Sequence, residues 1–214
     1  MSEAPGAYYP IFLNIAGKRC LVIGGGQVAE RKAASLLDCG GRVTVISPRL
    51  CPELEAKRAQ GAIEAQVRDF RPGDLEGVFL AIAATDDPGV NDSAVKEAHI
   101  RGTMINVVDQ PGECDFIVPS VVRRGELLIA ISTGGRSPAL ARKVREEMEG
   151  HFGPEYGALL DLVSQVRLEL SNRGCHPSPQ AWQDHLDSEL IEMVRQGKAG
   201  VARKRLTAAL EARP

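Results

Sequence analysis

The chain has 214 residues, 43% of them hydrophobic and 25% charged, with a net charge of −2. That size buries a real core without staples, and that balance excludes a disordered or fibrous chain. Aromatic residues make up only 4%, too few for base-stacking platforms, and a slightly acidic chain offers phosphate backbones no overall attraction, so nucleic acid is not an expected partner.

Met1–Pro10 lacks the basic start and apolar centre of a secretion signal. No apolar run approaches the roughly 20 residues that span a bilayer, so the expectation is a cytoplasmic protein with no membrane partner. Cys20, Cys39, Cys51, Cys114 and Cys175 are odd in number and widely spaced, the pattern of reduced thiols. Cys175-His176 is the one adjacency that hints at a metal, and no preformed metal site is expected.

From Lys18 to Val108 short β-branched runs alternate with helical stretches, the pattern of a parallel sheet wound by helices. Arg19–Ile23 reads as a buried strand, Gly24-Gly25-Gly26 as a turn, and Val28–Leu37 as a helix that stops near Gly40-Gly41. Val43–Ile46, Ile63–Val67, Val78–Ala84 and Met104–Val108 supply four more strands, with a helix over Asp92–His99. Asp86 and Asp87 suit helix capping or a turn.

After Pro111 the alternation stops. Phe116–Val122 and Glu126–Ser132 read as a hairpin joined by Arg123-Arg124-Gly125. Ser137-Pro138 opens a helix over Ala139–Glu149 that Gly150 should close. Helix then continues past His151, with apolar spacing at Leu159, Leu162, Val163 and Val166, a break over Asn172–Pro179, and further helix to Ala212. The fold class is α/β, and the expected parts are a nucleotide-binding domain over 1–113, a hairpin-and-helix connector over 114–150, and a helical domain over 151–214.

Gly24-x-Gly26-x-x-Ala29 stands between a strand and a helix. There the glycines allow a tight turn and let pyrophosphate approach the N–H groups at the helix start. The competing reading is a glycine-rich connector that binds nothing. An acidic residue for the ribose is expected about 20 residues on; Ser47-Pro48-Arg49 occupies that place, which leaves NAD against NADP open. Asp109 closes a strand at the carboxyl edge of the sheet, the right address for a base, and equally fits a turn-forming residue that caps backbone N–H groups.

Pro119–Arg145 carries Arg123, Arg124, Arg136, Arg142, Lys143 and Arg145 against one acid, Glu126. This excess suggests an anionic ligand or partner. Small and hydroxyl residues at Ser132–Pro138 precede a helix N-terminus, a favourable place for carboxylates, and Arg136 is the best candidate among the basic residues.

Tyr9-Pro10-Ile11-Phe12-Leu13, Cys20–Lys32 with its G-G-G-x-V-A-x-R-K, Ala83–Asp87, Asn106-Val107-Val108-Asp109 and Ser132–Pro138 together closely resemble the precorrin-2 dehydrogenase / sirohydrochlorin ferrochelatase family. This is the N-terminal module of bifunctional sirohaem synthase. The resemblance covers about the first 150 residues. It implies a Rossmann domain, an interlocked dimerisation segment that makes the protein a homodimer, and a helical C-terminal domain. It also implies NAD as oxidant, precorrin-2 and sirohydrochlorin as substrate and product, and in some members Fe²⁺ as co-substrate of chelation.

The family's catalytic aspartate falls on Asp109. Cofactor positions carry over to Gly24, Gly26, Gln27, Val28 and Ala29, to Ser47, Pro48 and Arg49, and to Ala84 and Thr85. Substrate positions fall on Asn106, Thr133, Gly134, Arg136 and Ser137. With the chain ending at Pro214, no fused methyltransferase domain is expected. An NAD-sensing regulatory module without catalysis is the alternative, and it would leave Asp109 and the basic connector unexplained. A Gly24→Asp change is expected to repel the pyrophosphate while leaving the fold intact.

Overall fold

The computed structural model describes residues 8–211. Contact density divides the chain into two compact units between Val118 and Pro119. In the first, the apolar runs form β1 (Arg19–Ile23), β2 (Arg42–Ile46), β3 (Glu64–Gln66), β4 (Leu80–Ala83) and β5 (Met104–Val107). They pair in parallel in the order β3-β2-β1-β4-β5. Helices α1 (Gln27–Asp38), α2 (Pro52–Ala59) and α3 (Pro88–Arg101) connect them.

Successive side chains of a strand point to opposite faces, and β1 serves two cores. Cys20 and Val22 join Ala29, Ala33 and Leu36 of α1 on one face. Leu21 and Ile23 join Ala94, Val95 and Ala98 of α3 on the other. This double burial explains why β1 and β4 read as unbroken apolar runs.

Asp87 caps α3, its Oδ1 accepting from the N–H groups of Gly89 (2.8 Å) and Val90 (3.2 Å), and α3 starts at Pro88 rather than near Asp92. The sequence reading passed over α2 because only Leu54 of its eight residues is buried, which leaves no apolar stripe to detect.

In the second unit, β6 (Ser120–Arg124) and β7 (Leu127–Ile131) form an antiparallel hairpin. The turn falls at Gly125-Glu126, so Arg123 and Arg124 belong to the strand, not to the joint. Helix α4 (Pro138–His151) runs through Gly150 and stops at Phe152. Arg124 supports this last turn, its Nε donating to Phe152 O at 2.7 Å and its Nη2 to Glu149 O at 3.1 Å, carbonyls that have no partner within a helix end.

The segment beyond is four helices: α5 (Glu155–Asn172), α6 (Pro179–His185), α7 (Ser188–Arg195) and α8 (Ala199–Glu211). Leu159, Leu162, Val166 and Leu170 of α5 meet Leu190, Val194, Leu206 and Leu210 in a common core. Ala212, the last residue read as helix, lies outside the described residues, as do residues 1–7 of the stretch searched for a secretion signal. Among the described residues no helix is long and apolar enough to cross a membrane.

Asp187 caps α7 by accepting from Leu190 N at 2.8 Å and pairs with Arg205 of α8 at 2.6 Å. The Arg205 hydrogen bonds, then the Leu190 amide, hold its carboxyl down to about 2 from 3.8. A folded value below the unfolded one means that the contribution is whole above about pH 4 and is lost as pH falls toward 2. Asp187→Asn keeps the cap and should flatten this acid limb of the melting-temperature profile. Asp187→Ala should in addition cost about 1 kcal/mol at neutral pH. Circular dichroism melts at several pH values measure both.

Candidate functional site

Strand order reverses between β1 and β4, and open α/β sheets bind ligands at the carboxyl end of such a switch point. Three loops converge there. Gly24 donates its N–H to Ile46 O (2.9 Å), Ala84 donates to Ile23 O (2.7 Å), and Cys51 donates to Gly25 O (2.7 Å). The turn after β1 is thereby stitched to the ends of β2 and β4.

The three glycines serve different purposes. Gly24 has φ +120° and lies so close to Ala84 that an added Cβ would stand 2.2 Å from its carbonyl oxygen. A Cβ on Gly25 would stand 1.8 Å from Arg49 O. Both residues are required by backbone packing. A Cβ on Gly26 would meet nothing within 4 Å, and Gly26 has φ −85° and ψ −174°, open to any residue, with no side chain capping α1. The expectation that Gly24→Asp leaves the fold intact is therefore corrected: Gly24 has no room for a side chain, and the open position is Gly26.

Around this opening stand the other cofactor candidates. Gln27 and Val28 are exposed in the first turn of α1, while Ala29 is fully buried and lets the helix lie close on the sheet. Ser47 is buried against Gly25, whereas Pro48 and Arg49 are exposed, and Arg49 has no ion pair among the described residues. Ala84 and Thr85 line the end of β4, and Thr85 O accepts from Asn91 Nδ2 at 3.2 Å. Asn91 Oδ1 is buried with no partner among the described residues. An open cradle at an uncapped helix N-terminus fits a dinucleotide, whose pyrophosphate would complete the orphan N–H groups of α1.

Asp109 follows β5 on the same edge. It has φ 61°, the one non-glycine positive φ among the described residues, and its exposed carboxylate accepts no hydrogen bond among them. Its backbone makes the turn and its side chain is left free.

Cys114 and Asp115, which the sequence reading passed over, hold this turn. The Cys114 sulfur accepts from Val107 N (3.2 Å) and Asn106 Nδ2 (3.4 Å), and it lies within donating distance of Val107 O and Gln110 O. Asp115 extends the edge of β5 by accepting from Ile105 N through Oδ2 (2.9 Å) and donating its own N–H to Ile105 O (2.9 Å). Asn106 is buried, with Nδ2 also donating to Phe116 O at 2.9 Å, so its amide anchors the loop. Lys32 of α1 is half-buried. Burial, then the charge of Arg31, pushes its ammonium below the usual range, while Asp109 and Cys114 pull it back. Burial raises the Cys114 thiol. The sequence signal for Lys32 was its place in the glycine-turn motif; Cys114 had none.

In the second unit Thr133 Oγ1 accepts from Ser137 N (3.1 Å) and donates to Ser137 O (3.0 Å), and Ser137 Oγ caps α4 by accepting from Leu140 N (3.2 Å). Gly134 has φ 61° in this loop. Arg142, Lys143 and Arg145 pair one turn on with Glu146, Glu147 and Glu149, and Arg124 is engaged with backbone carbonyls. The basic excess therefore narrows to Arg123 and Arg136, both exposed and unpaired among the described residues. Among the described residues no group of three or more His, Cys, Asp or Glu side chains is placed to hold a metal ion.

A five-stranded parallel sheet with a glycine cradle at its switch point defines an NAD(P)-binding protein of Rossmann-like topology. An NAD(P)-binding family model accordingly matches residues 11–120, and a model for the central part of a sirohaem biosynthesis protein matches residues 124–151. The siroheme synthase of Thioalkalivibrio sulfidiphilus is 40% identical over 206 residues, spanning 95% of this chain and 42% of the relative. That of Nitrosococcus oceani is 39% identical, spanning 95% of this chain and 44% of the relative. The chain belongs to the family of the precorrin-2 dehydrogenase / sirohydrochlorin ferrochelatase module of sirohaem synthase, and it spans about two fifths of the length of these curated relatives. The solved structure of SirC, precorrin-2 dehydrogenase, shares the fold with a TM-score of 0.73 at 24% identity, over 96% of this chain and 100% of that one.

Proposed function

We propose that this protein oxidises precorrin-2 to sirohydrochlorin with NAD in sirohaem biosynthesis, and that it also inserts Fe²⁺ into the product. One observation carries the oxidation: the dinucleotide cradle at Gly26 and the free carboxylate of Asp109 lie on the same carboxyl edge of one sheet.

The first turn of α1, Gly26 to Val28, would hold the pyrophosphate through its N–H groups. Ser47, Pro48 and Arg49, and Ala84 and Thr85 across the opening, would hold the rest of the cofactor. NAD would supply a hydride acceptor there. Asp109 takes the proton that leaves the macrocycle, and its freedom from hydrogen bonds leaves both oxygens open to accept it. Cys114 and Asp115 keep that carboxylate at the sheet edge. In the second unit, Arg123 and Arg136, exposed and unpaired among the described residues, offer guanidinium groups suited to carboxylates. In chelation Fe²⁺ replaces two pyrrole protons, which the same exposed carboxylate would accept one at a time and pass to solvent.

Purified protein incubated anaerobically with precorrin-2 and NAD should give the visible spectrum of sirohydrochlorin together with the near-ultraviolet band of reduced nicotinamide. NADP in place of NAD resolves the choice that Arg49 leaves open, and adding Fe²⁺ tests chelation. NAD binding with no turnover would instead favour nucleotide sensing.

We also propose a cytoplasmic homodimer. Two strands alone are marginal in water, yet Leu127, Leu128, Ile129 and Ile131 of the hairpin are only half-buried and Val121 is 39% exposed. A second copy covering them accounts for this surface. Light scattering should report twice the chain mass at micromolar concentration, and a monomer would remove the proposal. The five unpaired cysteines suit a reducing compartment.

A further inference from the structure

Among the cofactor candidates Arg49 alone is charged, and its place is set by the backbone. Ser47 N donates to Gln66 O (3.3 Å) and Ser47 O accepts from Arg68 N (3.1 Å), which ties the segment after β2 to the end of β3. On the other side Cys51 N reaches Gly25 O at 2.7 Å, and Arg49 O lies only 1.8 Å from where a Cβ on Gly25 would stand. The guanidinium therefore springs from a fixed point beside the opening of the cradle.

A Rossmann-like sheet that selects NAD places a carboxylate at the end of its second strand, where it takes the ribose 2′-hydroxyl and repels a 2′-phosphate; an arginine nearby accommodates that phosphate. Here the strand ends in the neutral Ser47, and an exposed arginine follows two residues on. The neighbouring cations are engaged: Arg68 pairs with Asp74 (2.6 Å), Lys57 with Glu30 (2.7 Å) and Arg58 with Glu55 (3.5 Å). The Arg49 side chain has no ion pair or hydrogen bond among the described residues. Its planar fork matches two phosphate oxygens. Glu53, in the first turn of α2, is the nearby acid without an ion pair among the described residues.

We infer that the site accepts NADP as well as NAD, with Arg49 gripping the 2′-phosphate at the place where a carboxylate would exclude it. This rests on the proposed dinucleotide cradle and is independent of which substrate is oxidised.

Calorimetric titration of the full chain with NAD and with NADP reads this without turnover. NADP should bind at least as tightly as NAD. Losing a charge-assisted hydrogen-bonded pair weakens binding by roughly ten- to a hundredfold, so Arg49→Ala should weaken NADP by that factor more than it weakens NAD. Arg49→Lys should recover part of the loss, because it keeps the charge without the fork, and Glu53→Gln should change neither affinity. NADP binding about tenfold or more weaker than NAD in the wild type overturns the inference. Equal losses of the two dinucleotides in Arg49→Ala also overturn it, because Arg49 would then serve the pyrophosphate they share. Loss of NAD affinity in Glu53→Gln does so as well, by making Glu53 the missing ribose acid. Turnover of precorrin-2 is measured alongside. If NAD supports oxidation while NADP is refused, the inference fails alone. If both dinucleotides bind as expected and precorrin-2 is not oxidised, the enzymatic reading fails and the cofactor assignment stands. If neither binds, the cradle and the inference fall together.

Discussion

Asp109→Asn is expected to lower precorrin-2 turnover by roughly 10²–10⁴-fold, the usual contribution of a positioned base, with NAD affinity and melting temperature close to wild type. The backbone conformation makes Asn the informative replacement. At φ 61° Asn is tolerated nearly as well as Asp, so the turn persists while the basic oxygen is replaced by an amide. Asp109→Gly should lose turnover equally, because glycine keeps the turn and removes the carboxylate. Asp109→Ala mixes two effects, since it removes the carboxylate and also places in the left-handed region a residue less tolerated there than Asp or Asn. Turnover in the Asn and Gly variants near that of the wild type would remove Asp109 from the mechanism. A large fall in melting temperature in the Asn variant would instead identify a structural side chain, although the carboxylate bonds no backbone N–H among the described residues.

Gly26→Asp should abolish NAD binding and leave the protein as stable as before, or slightly more so. A Cβ there enters open space, and the extended backbone of Gly26 is that of a normal helix N-cap. An aspartate would cap α1, worth a few tenths of a kcal/mol over glycine. The same carboxylate would stand where the pyrophosphate is proposed to bind. Like charges about 4 Å apart at an effective dielectric near 20 repel by about 4 kcal/mol, close to a thousandfold in affinity. Calorimetric titration with NAD and a thermal melt of the same variant test both halves. Gly25→Ala is the contrasting case: with Arg49 O at 1.8 Å from the new Cβ, the loops must part, and a loss of roughly 1–3 kcal/mol is expected. Undiminished NAD affinity in a folded Gly26→Asp protein would sink the assignment of the cradle.

The parallel sheet, the glycine turn after β1 and the helices that follow were legible in the chain because their causes are local. β-Branched runs specify strands, glycines mark the turn, and apolar spacing along α5 marks its buried face. The order of motifs along the chain likewise identified the family. The sequence by itself could not distinguish the three glycines, since Gly24 and Gly25 are constrained by carbonyls of Ala84 and Arg49 that reach them only when three strand ends meet.

Nor could it show that Cys114 would hold the Asp109 turn, or that Asn106 would spend its amide on Phe116, because those contacts form only when the loop folds back on β5. The basic connector is an instructive middle case. The i,i+4 partners of Arg142, Lys143 and Arg145 are Glu146, Glu147 and Glu149, acids that follow immediately after the basic stretch and neutralise its helical part. Local preferences fix which elements form. Which atoms remain unsatisfied at their ends, and so remain available to a ligand, is decided by non-local packing alone.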